Sequence, residues 1–251
     1  MKSLFISSLK RAFVSKWYII SIIATVIMCY VSSREYIGDG TNSVYMIDLM
    51  INLGMFKKIM VFFSAVPFVT VYCQDYNSGY IKSLIVRSGG RNYAWSNVIV
   101  CAISGFTAVF VGIVTYLGII SFFYPPQAYE TAGVYSDIAL NSPVLYVLLL
   151  IGVFSLYASM WTIVGLSLSS ILPDNYVALG APLILGYLLE EITLRFPPYL
   201  NLYNLSHCMD VFEQSPYLNY FYTIGMFIFI MVISGCVFTH FVKRRNRNEM
   251  V

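Results

Sequence analysis

A chain of 251 residues that is 59% hydrophobic and only 11% charged, with a net charge of +3, lies far from the mix of a soluble domain, roughly half apolar and a quarter charged. That composition excludes a soluble globular fold and predicts an all-α polytopic membrane protein. A bilayer-crossing helix needs about 20 predominantly apolar residues, and six such stretches can be drawn within a single transmembrane domain covering residues 1–251.

In chain order, residues 1–16 interleave Lys2, Lys10, Arg11 and Lys16 with Leu4, Phe5, Ile6, Leu9, Ala12, Phe13 and Val14. This is the pattern of an amphipathic helix lying in the membrane interface, in contact with lipid. The first span covers about 17–31, with Trp17 and Tyr18 as interfacial anchors. A polar segment, 32–43, and an amphipathic one through Leu53 lead to a second span at about 55–73. Lys57 and Lys58 fall near its outer end, where they either snorkel outward or face a cavity and attract an acidic group.

The stretch from Gln74 to Tyr93 interrupts two long apolar runs and reads as a short docking helix. Asp75, Asn77 and Ser78 are helix-starting residues, Arg87 suits the negative end, and Gly89-Gly90 stops it. Between them Tyr80, Ile81, Leu84 and Ile85 share one face, while Lys82 and Ser83 lie away from it. The alternative is an ordinary cytoplasmic loop resting on headgroups.

The third span, about 94–124, is stopped by Pro125-Pro126, and Gly105, Gly112 and Gly118 along it would permit close helix packing. A loop leads to the fourth span, about 143–172. There Ser155, Ser159, Thr162, Ser167 and Ser169 form a lightly polar face that either packs helices together or lines a path for an amphipathic cargo. Pro173-Asp174-Asn175 makes a tight turn into the fifth span, about 176–192, which contains Pro182 and carries Glu190-Glu191 at its outer end. The following segment, 193–219, is partly apolar through Phe196, Pro197, Pro198, Tyr199 and Leu202, and is expected to dip back as a re-entrant-like helical hairpin. The sixth span, about 220–242, ends at Lys243-Arg244-Arg245-Asn246-Arg247.

The charges sort with this drawing. Of the 15 Lys and Arg residues, Arg34, Lys57, Lys58 and Arg195 alone fall on the proposed outer side, so the positive-inside rule puts both termini in the cytoplasm. Glu35, Asp39, Asp48, Glu130, Asp137, Glu190, Glu191, Asp210 and Glu213 sort the other way.

Several chemistries drop out. No span carries a carboxylate near its middle, so an ion-coupled carrier would lack its usual relay. His207 and His240 are poorly placed for intramembrane hydrolysis. The five cysteines, Cys29, Cys73, Cys101, Cys208 and Cys236, lack metal-ligand spacing, so neither catalysis nor a metal site is expected. There is no G-x-x-x-x-G-K-[ST], hence no nucleotide loop, and no nucleic-acid partner is expected.

The amphipathic start, six spans with both ends inside, the Asp75-to-Gly79 segment opening the loop after span two, the Leu172-Pro173-Asp174-Asn175 turn and the apolar segment before span six together resemble the permease subunit of bacterial ABC transporters of the type-2 exporter class. The resemblance covers nearly the whole chain through loose motifs. It implies a cytoplasmic-membrane exporter in which two permeases, identical or paralogous, form the pathway and a separate ATPase subunit binds ATP and Mg. It also implies a coupling helix docking through Asp75, Gly79, Tyr80, Ile81, Lys82, Leu84, Ile85 and Arg87, with Pro173, Asp174 and Asn175 as a second inner contact. Lys57, Lys58, Ser155, Ser159, Glu190, Glu191, Phe196 and Tyr199 are the candidates for the pathway and its outer gate. Compact members resemble peptide exporters, so a hydrophobic or amphipathic peptide is the expected cargo, with a drug, lipid or lipid-linked glycan as alternatives. An ATP-independent channel or carrier, and a non-transporting membrane anchor or sensor, are the readings from other classes.

Single-cysteine labelling in intact cells and inverted vesicles tests the topology. Ser88→Cys and Asn248→Cys are expected to label from the cytoplasmic side, and Asp39→Cys, Asp137→Cys and Glu213→Cys from the outside. Labelling of Ser88→Cys from outside would overturn the drawing.

Overall fold

The computed structural model describes residues 2–38, 42–128, 134–206 and 215–249, and among them all regular structure is helical. The elements are α1 (Lys2–Phe13), α2 (Lys16–Ser33), α3 (Ser43–Asn52), α4 (Gly54–Ala65), α5 (Val71–Asn77), α6 (Tyr80–Ser88), α7 (Gly90–Ser121), α8 (Ser136–Asn141), α9 (Pro143–Ile171), α10 (Asn175–Thr193), α11 (Leu202–Ser206) and α12 (Pro216–Glu249), with single 3-10 turns at Arg34–Tyr36 and Pro198–Leu200.

Five of these helices, α2, α7, α9, α10 and α12, are long and apolar enough to cross a membrane, which fits a multi-pass membrane protein. The stretch expected as a second continuous span is different. Residues 55–73 fall into α4, a turn over 66–70 and the start of α5. Pro67 accounts for the break, because it has no N–H to donate and its ring clashes with the preceding helical turn. Val69 N instead bonds Ala65 O at 3.1 Å and Val71 N bonds Phe68 O at 3.1 Å, which carries the chain round the corner.

The bundle is organised around α9. In its most apolar stretch 72% of residues are buried, against 22% for α2, 28% for α10 and 22% for α12, so α9 is the centre and the other three form an exposed apolar rim. It packs on α4, α7, α10 and α12. Hydroxyl groups join the helices by bonding neighbouring backbones: Ser64 Oγ donates to Ala158 O at 3.1 Å, Ser159 Oγ to Ala102 O at 2.8 Å, and Ser21 Oγ to Phe63 O at 2.6 Å. Such bonds are worth about 1 kcal/mol or less in a membrane.

Small residues set the closest approaches. A Cβ on Gly105 would stand 2.9 Å from the Thr162 side chain, and one on Gly112 2.5 Å from that of Thr25, whereas Gly118 faces open space. Of the three glycines expected to permit close packing, two do so. The tightest contact against backbone was not legible in the sequence. Pro182 leaves the Ala178 carbonyl without its helical donor, and a Cβ on Gly165 would lie 2.7 Å from that carbonyl and 2.6 Å from the Pro182 ring.

Gly165→Ala therefore forces α9 and α10 apart, at an expected cost of about 1–3 kcal/mol, because backbone cannot rotate away. Gly118→Ala is expected to leave stability unchanged. Thermal unfolding of the two variants in detergent checks the contrast, and equal melting temperatures would contradict it.

Candidate functional site

One end of the bundle carries the basic residues of α1 and α12 together with α6. Gly79, with φ +71°, and Gly89, with φ +77°, bracket α6 at positive φ, which glycine alone adopts freely. Asn77 and Ser78 close α5 rather than start α6, since Ser78 Oγ donates back to Gln74 O at 2.7 Å. The helix also presents a different face from the one expected. Ile81 and Ile85 are each 6% exposed, buried in the chain's own core. The outward side consists of Tyr80 at 52%, Val86 at 79%, and exposed Lys82 and Ser83, with Leu84 half-buried at the edge. A nine-residue helix cannot hold itself together in isolation, so it turns its most apolar side to its own bundle. The Arg87 side chain lies outside the described residues.

Asp75 is likewise no surface contact. It is 2% exposed, with its Oδ1 2.9 Å from Arg11 Nη2 and its Oδ2 accepting from Arg11 Nη1 at 3.3 Å and Tyr93 OH at 2.9 Å. This carboxylate ties α1 and α7 to α5, immediately before α6. Arg245 joins the same end, its guanidinium 4.6 Å above the Tyr76 ring and donating to Ser170 O at 3.3 Å. In the turn after α9, Asp174 Oδ1 accepts from Tyr176 N at 2.7 Å and caps α10. Asp174 and Asn175 are exposed and Pro173 is half-buried.

The opposite end of α4 holds a buried ion pair. Lys57 is 1% exposed; its Nζ lies 2.7 Å from Glu190 Oε1 and donates to Ser206 Oγ at 3.0 Å. Tyr157 OH donates to the same Glu190 oxygen at 2.9 Å, and the Nζ stands 4.5 Å from the centre of the Tyr203 ring. Lys57 thus does not snorkel. It is the hub joining α4, α9, α10 and α11. Lys58 is half-buried, 4.2 Å over the Tyr187 ring.

The other pathway candidates separate. Ser155 and Ser159 are buried at 0% and 1%, packed into the bundle. Glu191, Phe196 and Tyr199 are exposed, and Tyr199 O accepts from Tyr222 OH at 2.8 Å. Of the expected hairpin, the 3-10 turn and α11 are present, and Leu202 and Leu205 are buried. Asp39, Glu130, His207, Cys208, Asp210 and Glu213 lie outside the described residues.

Arg11, Tyr93, Tyr157, Tyr203, Ser206 and Arg245 were not singled out from the sequence. Their partners stand 18 or more residues away, at spacings no local pattern records. Two signals were available: Asp75 is an acid on the basic side, and Lys57 was open to facing a cavity and meeting an acidic group. Comparison of this chain with protein-family models, with curated proteins and with solved structures finds no match.

Lys57→Met leaves Glu190 buried without its counter-charge and is expected to cost about 3–5 kcal/mol, whereas Lys57→Met combined with Glu190→Leu removes both charges and recovers most of the loss. Denaturant unfolding of the single and double variants reads this. A double variant as unstable as the sum of the two single ones would show that the pair is not coupled.

Proposed function

We propose that this chain is the transmembrane subunit of an ATP-driven exporter in a bacterial cytoplasmic membrane, with the basic end cytoplasmic. Two permease copies form the pathway, a separate ATPase subunit docks on α6, and the cargo is a hydrophobic or amphipathic peptide. The observation that carries the reading is α6 itself. A short helix held between two glycines of positive φ, anchored inward by Ile81 and Ile85, offers Tyr80, Lys82, Ser83 and Val86 to a partner. Aromatic and aliphatic anchors of this kind concentrate the energy of a docking interface. The chain lacks a nucleotide loop, so the ATP and Mg chemistry belongs to that partner.

The connectivity supports a route for force. Movement of α6 passes through Gly79 to α5, which Arg11 and Tyr93 hold through Asp75. From α5 it crosses the Pro67 corner into α4, and α4 ends at Lys57, bound to Glu190 and α11. One continuous segment therefore runs from the docking surface to the far end of the bundle. The exposed Asp174 and Asn175 turn lies at the docking end as a smaller second contact. A second reading, an ATP-independent carrier, draws on the Lys57–Glu190 pair, a buried pair of opposite charges near the ends of α4 and α10.

Tyr80→Asp with Val86→Asp puts two charges into the proposed contact, at positions 52% and 79% exposed. Affinity purification from native membranes is expected to recover an ATP-hydrolysing subunit in roughly equal amount with the wild type and to lose it with this variant. Asn141→Asp, exposed in α8, serves as the control. Equal recovery from all three would end the docking proposal, and absence of any such subunit from the wild type would favour the carrier.

A further inference from the structure

Lys57 reaches out from α4, but the groups that hold its ammonium belong to α9, α10 and α11. Glu190 Oε1 lies 2.7 Å from Nζ, Ser206 Oγ accepts from it at 3.0 Å, and the rings of Tyr203 and Tyr157 are centred 4.5 and 5.8 Å away. Both rings fall within the roughly 6 Å over which an aromatic face attracts a cation. A carboxylate, a hydroxyl acceptor and two aromatic rings together make a cage for a primary ammonium. The two oxygens call for N–H donors, which a quaternary ammonium lacks, and the carboxylate and rings call for a positive charge, which an alcohol lacks.

The cage is held by bonds in which Lys57 has no part. Tyr157 OH donates to Glu190 Oε1 at 2.9 Å, and Ser206 Oγ donates to Tyr203 O at 2.8 Å. Thr193 Oγ1 donates to Glu190 O at 3.1 Å and accepts from Leu202 N at 3.2 Å, which joins α10 to α11. A site ordered in advance keeps its shape when its occupant changes. The occupant here is a flexible four-carbon stem with rotatable donors. A buried pair of this kind adds little net stability, so an incoming ammonium that makes the same bonds displaces it at small net cost.

The position of the cage suits exchange. Lys57 stands in the first turn of α4 and Glu190 in the last turn of α10, so the cage lies at helix ends and not in mid-bundle. One wall is the five-residue α11, a helix too short to be stable by itself. The chain that follows Glu190 exposes Ile192, Leu194 and Phe196, an apolar surface next in sequence to the charged site.

We propose that Glu190, Ser206, Tyr157 and Tyr203 form a binding site for a primary alkylammonium, occupied here by Lys57 and taken over by an ammonium of the cargo. The cargo half of this inference rests on the exporter reading, and it narrows the expected hydrophobic or amphipathic peptide to one that carries a lysine side chain or a free N-terminus.

The test uses the full chain purified in detergent. Thermal unfolding of Lys57→Ala is followed with n-butylammonium chloride, n-butanol or tetraethylammonium chloride added. n-Butylammonium replaces the missing stem and charge and is expected to raise the melting temperature by several degrees more than either control, because a ligand that binds only the folded chain stabilises it. Lys57→Ala combined with Glu190→Gln is expected to lose that difference. On the wild-type chain, a capped alanine-leucine peptide with one central lysine is expected to bind several-fold more tightly than the same peptide with norleucine, and to bind Lys57→Ala more tightly still, since the internal competitor is gone. The wild-type comparison needs no variant to fold. Equal affinity for the two peptides on the wild type, weaker binding of the lysine peptide to folded Lys57→Ala, or no selective stabilisation by n-butylammonium would each overturn the proposal. An ATPase recovered with the wild type beside a failed amine test removes the site and leaves the exporter, whereas selective amine binding without an ATPase does the reverse.

Discussion

The arrangement depends on how closely α9 can be approached. In a bilayer, burial of apolar surface does not drive helices together, so association rests on van der Waals fit and on polar groups that find partners. Gly105 and Gly165 remove the atoms that would hold α7 and α10 away, and Ser64 and Ser159 turn the resulting proximity into hydrogen bonds. With α9 surrounded, α2, α10 and α12 can present Ile, Phe and Leu to lipid without weakening the core.

Within that frame the two ion pairs among the described residues lie at opposite ends of the bundle. At one end Asp75 takes Arg11 and Tyr93; at the other Lys57 takes Glu190, Tyr157 and Ser206. Buried ion pairs add little net stability compared with apolar packing, but leaving one member unpaired is expensive. Their effect is to fix which helices sit together. The Asp75 cluster sets α1 and α7 against α5, and the Lys57 cluster sets the short α11 against the bundle. Both clusters lie on the same stretch of chain, α4 to α5, which is also the stretch that Pro67 bends.

That bend makes the link between the two charged clusters an angled one, with α4 on one side of the corner and α5 on the other.

Much of the architecture was legible in the sequence because the hydrocarbon thickness and the need to satisfy every backbone polar group dictate long apolar helices wherever such runs occur. Residues 143–172 and 176–192 map onto α9 and α10 almost without change. So does the tight turn between them, which Asp174 caps by an interaction reaching only two residues along the chain. The face of α6 was not legible, because periodicity identifies an apolar side without saying whether the protein's own bundle or a partner covers it. Ile81 and Ile85 went to the bundle. The break at Pro67 was open to reading but hidden by the uniform hydropathy around it, while Pro182 in α10 is tolerated where Gly165 lets its helix pack close. The partners of Lys57 and Asp75 were decided by tertiary structure alone. A lysine at a span end lowers its energy equally well by reaching water or by meeting a carboxylate, and only the packing of α10 and α11 against α4 brings Glu190 and Ser206 within reach.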